Sequence, residues 1–340
     1  MKAAYYEGQE KISIGESVSV PPGAGQVQIR VSHCGICGTD LHIFHGKMDR
    51  RVKMPQVIGH EMSGTIVAVG EGVKGFDPGD RVTVRPLDYC SDCPACRAGH
   101  SHICQKMKFI GIDSTGAFQG LWTVPAHALH RLPGNLSFEQ GALIEPLAVA
   151  CHDVRMAGLQ KGEYAVVLGG GPIGALVALV AKGAGARVLV SEVNPFRIQL
   201  ARELGFDVVN PLETDLVEYV NRETGEAGAD VVFEVSGVPA GAEMMTKLPR
   251  TRGRIVLVAI YSEPQKVDLF RFFWRELKLI GARVYEPEDF EKSIAFAASG
   301  TLPLDRIITK VFPLEELESG FRLMEKGGAV MKVLIRCSND

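Results

Sequence analysis

Short runs that alternate apolar and polar residues recur through the first 150 positions of the chain. Residues 26–31, 65–69 and 81–84 follow this period of two and are separated by turn residues such as those at 77–80. Such alternation is typical of a β-strand with one buried face. The pattern therefore predicts an irregular, mainly β domain over residues 1–150.

The pattern changes near residue 150, where apolar runs without polar alternation take over. These runs occupy residues 165–168, 187–190, 207–209, 230–234, 254–258 and 278–280. Helical segments lie between them, one rich in Ala, Leu and Val up to about residue 183 and one over 195–204. Strands buried on both faces and separated by helices predict a doubly wound parallel sheet. A helix near 290–299 and a strand over 329–335 could pack on either domain.

Length and charge narrow the class of protein. A chain of 340 residues favours two domains, and 46% apolar with 23% charged residues is ordinary globular material. The net charge of -3, without long basic runs, argues against nucleic acid or an anionic membrane as a partner. Glycines and a proline interrupt the longest apolar stretch, residues 165–181, and no apolar leader precedes residue 10. We expect a cytoplasmic protein that acts on a small molecule.

A glycine loop follows the first apolar run of the second domain. Gly169, Gly171 and Gly174 fit G-x-G-x-x-G, with Pro172 and Ile173 inside the motif. The strand before it and the apolar helix after it are the context in which this motif binds a dinucleotide. The helix N-terminus would offer free N–H groups to the pyrophosphate.

An acid and an arginine follow the second apolar run of this domain. Glu192 stands where a carboxylate should accept hydrogen bonds from the adenosine ribose and repel a 2′-phosphate, which favours NAD over NADP. Arg197 weakens this preference, because it could pair with that phosphate. The alternative is a structural turn with a helix-capping acid.

Four cysteines crowd into a short segment of the first domain. Cys90, Cys93, Cys96 and Cys104 give C-x2-C-x2-C-x7-C. Four thiolates so close together suit a closed tetrahedral zinc site that stabilises a loop without performing chemistry. An iron–sulfur cluster is the competing interpretation, although the last gap is unlike common ferredoxin spacing. Disulfides are expected less in a protein without an export signal.

A second set of metal-ligand residues is dispersed along the first domain. Cys37, the pair His60 and Glu61, and Glu145 together provide one soft, one borderline and two hard ligands. This mixture suits a catalytic zinc that can exchange a ligand for water or substrate. Taken alone, each of these residues is more often a satisfied core or turn residue than a ligand, and only together with the glycine loop do they indicate a catalytic site.

The sequence resembles the zinc-dependent medium-chain alcohol dehydrogenase family. Gly59-His60-Glu61-x-x-Gly64, followed by Gly70 and Val73, is similar to its zinc signature, and the cysteine segment and glycine loop follow in the family's order. The resemblance implies a GroES-like catalytic domain over residues 1–150, with a structural zinc lobe at about 88–106. It also implies a Rossmann NAD-binding domain over 151–290 and a return to the catalytic domain over 291–340.

The resemblance also implies roles for single residues. Cys37, His60 and Glu61 would hold a catalytic zinc, with Glu145 as a further ligand or an exchanging neighbour, so that each chain carries two zinc ions. The alcohol's proton would leave through Thr39 and His42. The backbone at Ser236, Gly237 and Val258 would contact the cofactor.

The expected activity is reversible, NAD-dependent oxidation of a secondary alcohol, either a polyol, a vicinal diol or a sugar-derived alcohol. Residues 143–149 resemble the sorbitol and butanediol branch, whereas residues 37–42 also resemble threonine 3-dehydrogenase. L-Threonine oxidation is therefore an alternative, and a non-catalytic nucleotide-binding protein on this scaffold is a second one. The resemblance favours a homotetramer.

Overall fold

The chain folds as two units in the computed structural model, which describes residues 1–18 and 20–338. The first unit combines Met1–Glu145 with the chain from Glu286 onward, and the second unit is Pro146–Tyr285. The segment after residue 285 thus returns to the first unit instead of packing with the second.

The strands, in chain order, are β1 (Lys2–Gly8), β2 (Lys11–Glu16), β3 (Gln26–Gly35), β4 (Glu61–Val69), β5 (Arg81–Val84), β6 (Leu87–Asp88), β7 (Lys108–Phe109), β8 (Leu121–Pro125), β9 (Leu129–Arg131), β10 (Tyr164–Leu168), β11 (Arg187–Ser191), β12 (Asp207–Val209), β13 (Ala229–Glu234), β14 (Pro249–Leu257), β15 (Lys278–Gly281), β16 (Ile308–Pro313) and β17 (Lys332–Arg336).

The α-helices, in the same order, are α1 (Gly38–Phe44), α2 (Pro94–Arg97), α3 (Phe138–Ala142), α4 (Ile144–Met156), α5 (Pro172–Gly183), α6 (Pro195–Glu203), α7 (Leu216–Thr224), α8 (Pro239–Met244), α9 (Leu269–Arg275), α10 (Pro287–Ala298) and α11 (Leu317–Lys326).

A seven-stranded sheet organises the first unit. Its order is β16-β17-β3-β4-β5-β9, and β8 also pairs with β3. The long strand β3 lies at its centre and is buried along most of its length, because it packs into the apolar core of this unit. The late strand β17 pairs antiparallel with β3 and places the end of the described chain beside the early strands.

A six-stranded parallel sheet forms the second unit. Its order, β12-β11-β10-β13-β14-β15, is 3-2-1-4-5-6 when the six strands are counted along the chain. All five residues of β10 are buried, as expected of a central strand covered on both faces. The predicted doubly wound sheet, inserted between two parts of a mainly β unit, is confirmed.

The structure extends several predicted strands and adds others. The strand predicted at 26–31 continues to Gly35, and the one predicted at 65–69 begins at Glu61. These extensions matter because the added residues pair with each other and carry the site described below. Among the described residues, no helix has the length and apolar character needed to cross a bilayer.

Candidate functional site

Cys37, His60 and Glu61, the ligand trio, converge in the first unit. The antiparallel register of β3 and β4 pairs Gly35 with Glu61, so the end of one strand meets the start of the other. One ligand atom from each trio residue lies within 4.8 Å of the other two. His60 and Glu61 are buried, and Cys37 is half-buried. A sulfur, a nitrogen and an oxygen therefore face one point.

Gly35 leaves the space that the carboxylate of Glu61 occupies. A Cβ at Gly35 would collide with that carboxylate and with the side chain of Lys332. Lys332, on β17, is 3% exposed and forms an ion pair with Glu61 Oε2. Burial disfavours a charged lysine, yet the Glu61 carboxylate outweighs it and raises the pKa of Lys332. The strand β17 thus brings the counter-charge of Glu61.

Asp40, in α1, contacts two residues of the trio, Cys37 and His60. Its Oδ2 accepts a hydrogen bond from the backbone N–H of Cys37 at 2.9 Å, and its Oδ1 lies 3.5 Å from His60 Nδ1. Burial alone would lower the pKa of His60, but Asp40 and Cys37 outweigh it and hold that pKa well above the usual value. A carboxylate behind a metal-ligating histidine fixes the orientation of its ring.

The donor set and its electrostatics fit a zinc ion. Soft, borderline and hard ligands in a group of three leave a fourth position open, as catalytic zinc requires. Because His60 Nδ1 faces Asp40 Oδ1 at 3.5 Å, Nε2 is the ring nitrogen that a metal could take. Asp40 and Cys37 also make a positive charge favourable at His60, and a bound cation would supply that charge.

Glu145 is not part of this group of three. It is 5% exposed, lies in the first turn of α4 and interacts electrostatically with Lys332. Glu145 as a metal ligand therefore stays a prediction. Its carboxylate lies near Lys332, the buried lysine that pairs with Glu61.

The two residues of the predicted proton relay lie on α1. Thr39 is half-buried and His42 is exposed. They are three residues apart in the helix, a spacing that brings side chains to one face. Burial, and then the positive charges of Lys47 and His45, lower the pKa of His42. The imidazole is therefore neutral, and able to accept a proton, over more of the pH range than a free histidine.

Cys90, Cys93, Cys96 and Cys104, the thiol lobe, form a second group. The Sγ atoms of Cys93 and Cys96 are 3.5 Å apart, as are those of Cys104 and Cys90, and Cys93 and Cys104 are separated by 3.8 Å. A tetrahedral zinc about 2.3 Å from each sulfur would place neighbouring sulfurs about 3.8 Å apart.

Backbone N–H groups favour a thiolate at Cys93 and, through Asp92 and then Cys93, at Cys90, whereas burial and the neighbouring thiols raise the pKa of Cys96 to about 12. N–H groups of Cys96 and Gln105 lower the pKa of Cys93 to about 6. The N–H of Cys93 points in the same way at the sulfur of Cys90, 3.3 Å away, and the pKa of Cys90 is also lowered. Sulfur spacing and N–H donors together fit a closed zinc site with no open position.

The glycine loop of the second unit joins β10 to α5. Gly169 has a φ of 100°, which glycine adopts without strain. A Cβ at Gly174 would collide with the carbonyl oxygen of Gly169, so the third glycine lets helix and strand pack closely. Pro172 begins α5 and Ile173 follows it, both half-buried. The N-terminus of α5 therefore opens toward the carboxyl ends of the strands, where α/β sheets bind ligands.

Glu192 lies at the end of β11 beside this loop. Its Oε2 accepts the N–H of Gly170 at 2.8 Å, and its Oε1 accepts those of Val193 and Asn194. Arg197 lies with Nη1 at 4.0 Å from Glu192 Oε2. The predicted ribose acid is thus 6% exposed and held by the backbone, with the predicted arginine alongside.

A cavity of about 480 Å³ joins these residues to the turn after β13. Its lining includes Gly169, Gly171, Glu192, Arg197 and Ser236. The cavity lies wholly in the second unit and has the position and size of a nucleotide site.

The turn after β13 is fixed by a residue that the sequence interpretation missed. Glu234 is fully buried, and its Oε1 accepts the N–H groups of Ser236 and Gly237. The N–H of Val258 donates to the backbone oxygen of Glu234. One strand end therefore holds all three residues that the family resemblance assigns to backbone contacts with the cofactor.

Asp40 and Lys332 were also missed. Asp40 carries a usable signal, since it follows Cys37 at the spacing of a residue that caps a helix N-terminus. No sequence pattern could have identified Lys332, because only the pairing of β17 with β3 brings it to Glu61.

Two family models match the chain. An alcohol dehydrogenase GroES-like domain matches residues 23–134, and a zinc-binding dehydrogenase domain matches residues 172–299.

Individual proteins match along most or all of their length. The 2-dehydro-3-deoxy-L-galactonate 5-dehydrogenase of Pseudoalteromonas atlantica is 54% identical over 340 residues, which cover 100% of both chains. The L-threonine 3-dehydrogenase of Pyrococcus horikoshii is 37% identical over 318 residues, 91% of each chain. A zinc-binding dehydrogenase of Sinorhizobium meliloti, solved with NADP bound, has a TM-score of 0.93 over 98% of each chain at 31% identity.

Proposed function

The chain belongs to the zinc-dependent medium-chain alcohol dehydrogenase family, and on that premise we propose that it oxidises the C5 hydroxyl of 2-dehydro-3-deoxy-L-galactonate with NAD. It is an oxidoreductase that acts on CH–OH, so the non-catalytic alternative does not apply. The proposed reaction type rests on the convergence of the ligand trio. The 54% identity to a sugar-acid dehydrogenase over the full chain supports the substrate.

The chemistry divides between bound groups and the chain. Zinc, when bound, supplies Lewis acidity to the substrate hydroxyl, and NAD accepts the hydride from the carbon that bears it. Overall the alcohol and NAD⁺ become a ketone, NADH and one proton. Cys37, His60 and Glu61 would hold the catalytic metal, while Asp40 orients His60 and Lys332 limits the negative charge on Glu61.

The proton leaves along α1 in this proposal. The hydroxyl oxygen of Thr39 accepts the substrate proton as it passes its own onward, and an imidazole nitrogen of His42 releases a proton to solvent. The exposure of His42 and its lowered pKa support this direction, since a neutral imidazole accepts and water then receives.

The cofactor proposal rests on the second unit. The N–H groups at the start of α5 would bind the pyrophosphate, and Glu192 would face the adenosine ribose. A buried carboxylate at this point supports NAD over NADP, with Arg197 reducing the margin. We propose two zinc ions per chain, one at the ligand trio and one at the thiol lobe.

A face of the second unit supports a homo-oligomer. Every residue of α9 is at least partly exposed, including Phe270 at 64%, Phe273 at 78% and Trp274 at 71%. Beside it, β15 ends the sheet and pairs only with β14 among the described strands. We propose that a second copy pairs its own β15 here across a two-fold axis, and that a tetramer forms from two such dimers.

We also keep the expectation of a cytoplasmic location. The structure describes all eight cysteines and none of them forms a disulfide, and the thiol lobe requires reduced sulfur to bind metal. A reducing compartment satisfies that requirement.

The substrate assignment is tested on zinc-replete protein. NAD and NADP reduction is measured with 2-dehydro-3-deoxy-L-galactonate, sorbitol, (R,R)-butanediol and L-threonine, each with and without a chelator. We expect the highest kcat/KM with the sugar acid and NAD, and loss of activity with the chelator. Activity on L-threonine alone would move the assignment to the threonine branch.

A further inference from the structure

A buried arginine without a hydrogen-bond partner at two of its nitrogens follows directly after β5. Arg85 is 3% exposed, and the N–H groups of its Nε and Nη1 have no hydrogen-bond partner. In the described part of the chain its guanidinium also forms no ion pair. A buried cation normally has a carboxylate or carbonyl partner, because removing it from water is costly. The arrangement therefore calls for an anion that the protein does not supply.

Strand register would place Arg85 close to the metal ligands. Ser63 in β4 pairs with Thr83 in β5, and Glu61 and Arg85 each lie two residues from that pair, so the same antiparallel register, carried past the end of β5, would set them opposite each other. Opposed residues point to the same face of a sheet, with Cα atoms about 5 Å apart. The backbone N–H of Arg85 donates to Ala128 at 2.7 Å, which continues the strand past Val84. In that register Arg85 shares a face with Glu61.

The aromatic and titratable groups around Arg85 do not neutralise it. Its guanidinium carbon lies 5.8 Å from the ring centroid of Tyr89, a weak contact for a cation over a ring. The facing imidazole of His130 is bonded to Glu291 and stacks on Phe290. Burial lowers the pKa of His130 and outweighs the hydrogen bond and charge of Glu291, which raise it, and the positive charge of Arg85 adds to the lowering.

We propose that Arg85 binds the carboxylate of the sugar-acid substrate and so determines the preference for acids over neutral alcohols. This inference rests on the proposed function. In a six-carbon acid oxidised at C5, the carboxylate carbon and C5 are four bonds apart, about 5 Å in an extended chain. The β4–β5 register, carried on to Glu61 and Arg85, would put the guanidinium and the ligand trio on one face of the sheet, where one substrate molecule could contact both. Guanidinium groups bind carboxylates through two parallel hydrogen bonds, so one residue can supply the recognition.

Steady-state kinetics on the sugar acid and on its uncharged carboxamide test the proposal. Arg85→Gln and wild type are compared on 2-dehydro-3-deoxy-L-galactonate and on the carboxamide of the same acid. We expect the ratio of kcat/KM for acid over amide to fall about 100-fold in the variant, because one partner of a buried charge pair is removed. The loss should appear mainly in KM, as for a group that binds substrate and transition state equally.

Arg81 provides the matched control on the same strand. Its guanidinium donates to the backbone oxygens of Pro133 and Leu136 and lies 4.4 Å from the ring centroid of Phe138. Arg81→Met should lower Tm and leave the acid-to-amide ratio unchanged. Arg85→Met should leave the Tm of ligand-free protein unchanged or raise it, since an unpaired buried charge is removed. A lower Tm with an unchanged ratio would make Arg85 a structural residue and overturn the proposal.

A binding measurement separates this inference from the proposed function. The titration of His130 is followed by NMR in zinc-loaded protein, with and without the sugar acid. Pairing of Arg85 with a carboxylate should raise the pKa of His130 in wild type and not in Arg85→Gln. If wild type fails to oxidise the acid, the proposed function fails, and this titration still decides whether Arg85 binds a carboxylate. An unchanged pKa of His130 at saturating acid overturns the inference.

Discussion

Asp40 and Lys332 set the charge balance of the ligand trio, and both do so from full burial. Each pays a desolvation cost that only close partners offset, Asp40 with Cys37 and His60, and Lys332 with Glu61. Removing either one would leave an opposite charge buried without its partner. At the scale of single residues, the proposed metal ligands are therefore positioned by two side chains outside the ligand trio.

The proton relay predicts a pH profile. His42 must be neutral to accept a proton, and its lowered pKa places the acid limb of kcat/KM below the usual histidine value of about 6.5. His42→Gln should remove that limb and reduce kcat about 100-fold near neutral pH. The pH dependence of steady-state rates measures both effects.

His127 is the control for this profile. It is an exposed histidine in the 3₁₀ turn Ala126–Ala128, with its Nε2 3.6 Å from Asp88 Oδ1. His127→Gln should keep both rate and profile, and a wild-type acid limb retained in His42→Gln would remove His42 from the relay.

The ribose assignment predicts a change in cofactor preference. Glu192→Gln keeps an oxygen that can accept backbone N–H groups but removes the charge that repels a 2′-phosphate. We expect the ratio of kcat/KM for NAD over NADP to fall at least 10-fold. Glu218→Ala, an exposed acid on α7, serves as the control. An unchanged ratio in Glu192→Gln would argue against contact with the ribose.

At the scale of elements, the thiol lobe is a loop that sulfur and backbone N–H groups hold in shape. Its regular structure is limited to α2, two residues of β6 and a short 3₁₀ turn at Ser101–Ile103. So little secondary structure provides few contacts of its own. The lobe therefore depends on a cross-link, which a closed zinc site provides.

Zinc content tests this dependence. Cys93→Ser should reduce the metal from two ions to one per chain and make residues 90–104 sensitive to protease. Cys151→Ser, which changes a buried thiol outside both groups, should keep two ions. Metal analysis together with limited proteolysis measures both. Two ions retained in Cys93→Ser would rule out the lobe as a zinc site.

Sequence periodicity identified elements whose burial is regular. The strands β5 and β12 have the predicted bounds, β5 because it alternates and β12 because two valines follow the exposed Asp207. The helix α9 was not predicted, since exposed aromatic residues give it no apolar face turned to a core. The strand predicted at 329–335 begins at Lys332, because positive φ values at Gly327 and Gly328 end α11 and start a turn.

The ligand residues of the candidate site could be predicted from the sequence, whereas the residues that support them could not. Cys37, His60 and Glu61 could be named from residue type and motif, whereas their proximity depends on the β3–β4 register. Arg85 and Lys332 depend on strand pairing between distant segments, which no local pattern encodes.

At the scale of the whole molecule, the exposed aromatic face of α9 predicts an assembly. Phe273→Glu should convert the oligomer to smaller species in sedimentation velocity. At a two-fold contact the introduced carboxylate would lie close to the same carboxylate of the second copy, and the two would repel each other. Val18→Glu changes a side chain that is 75% exposed in the first unit and should leave the assembly intact. The same sedimentation coefficient in Phe273→Glu and wild type would place the interface elsewhere.

The return of β17 to the first unit has a consequence for biosynthesis. Glu61 leaves the ribosome long before Lys332, by about 15–50 s at ordinary translation rates. Once residue 281 has emerged, the second unit, which is continuous in sequence, has all its strands, while the first still lacks β17, one of the strands that pair with β3. The carboxylate of Glu61 is then without its lysine. The metal centre is thus completed after translation has passed both units, and a nascent chain stalled before β17 would carry a finished nucleotide fold beside an unfinished zinc site.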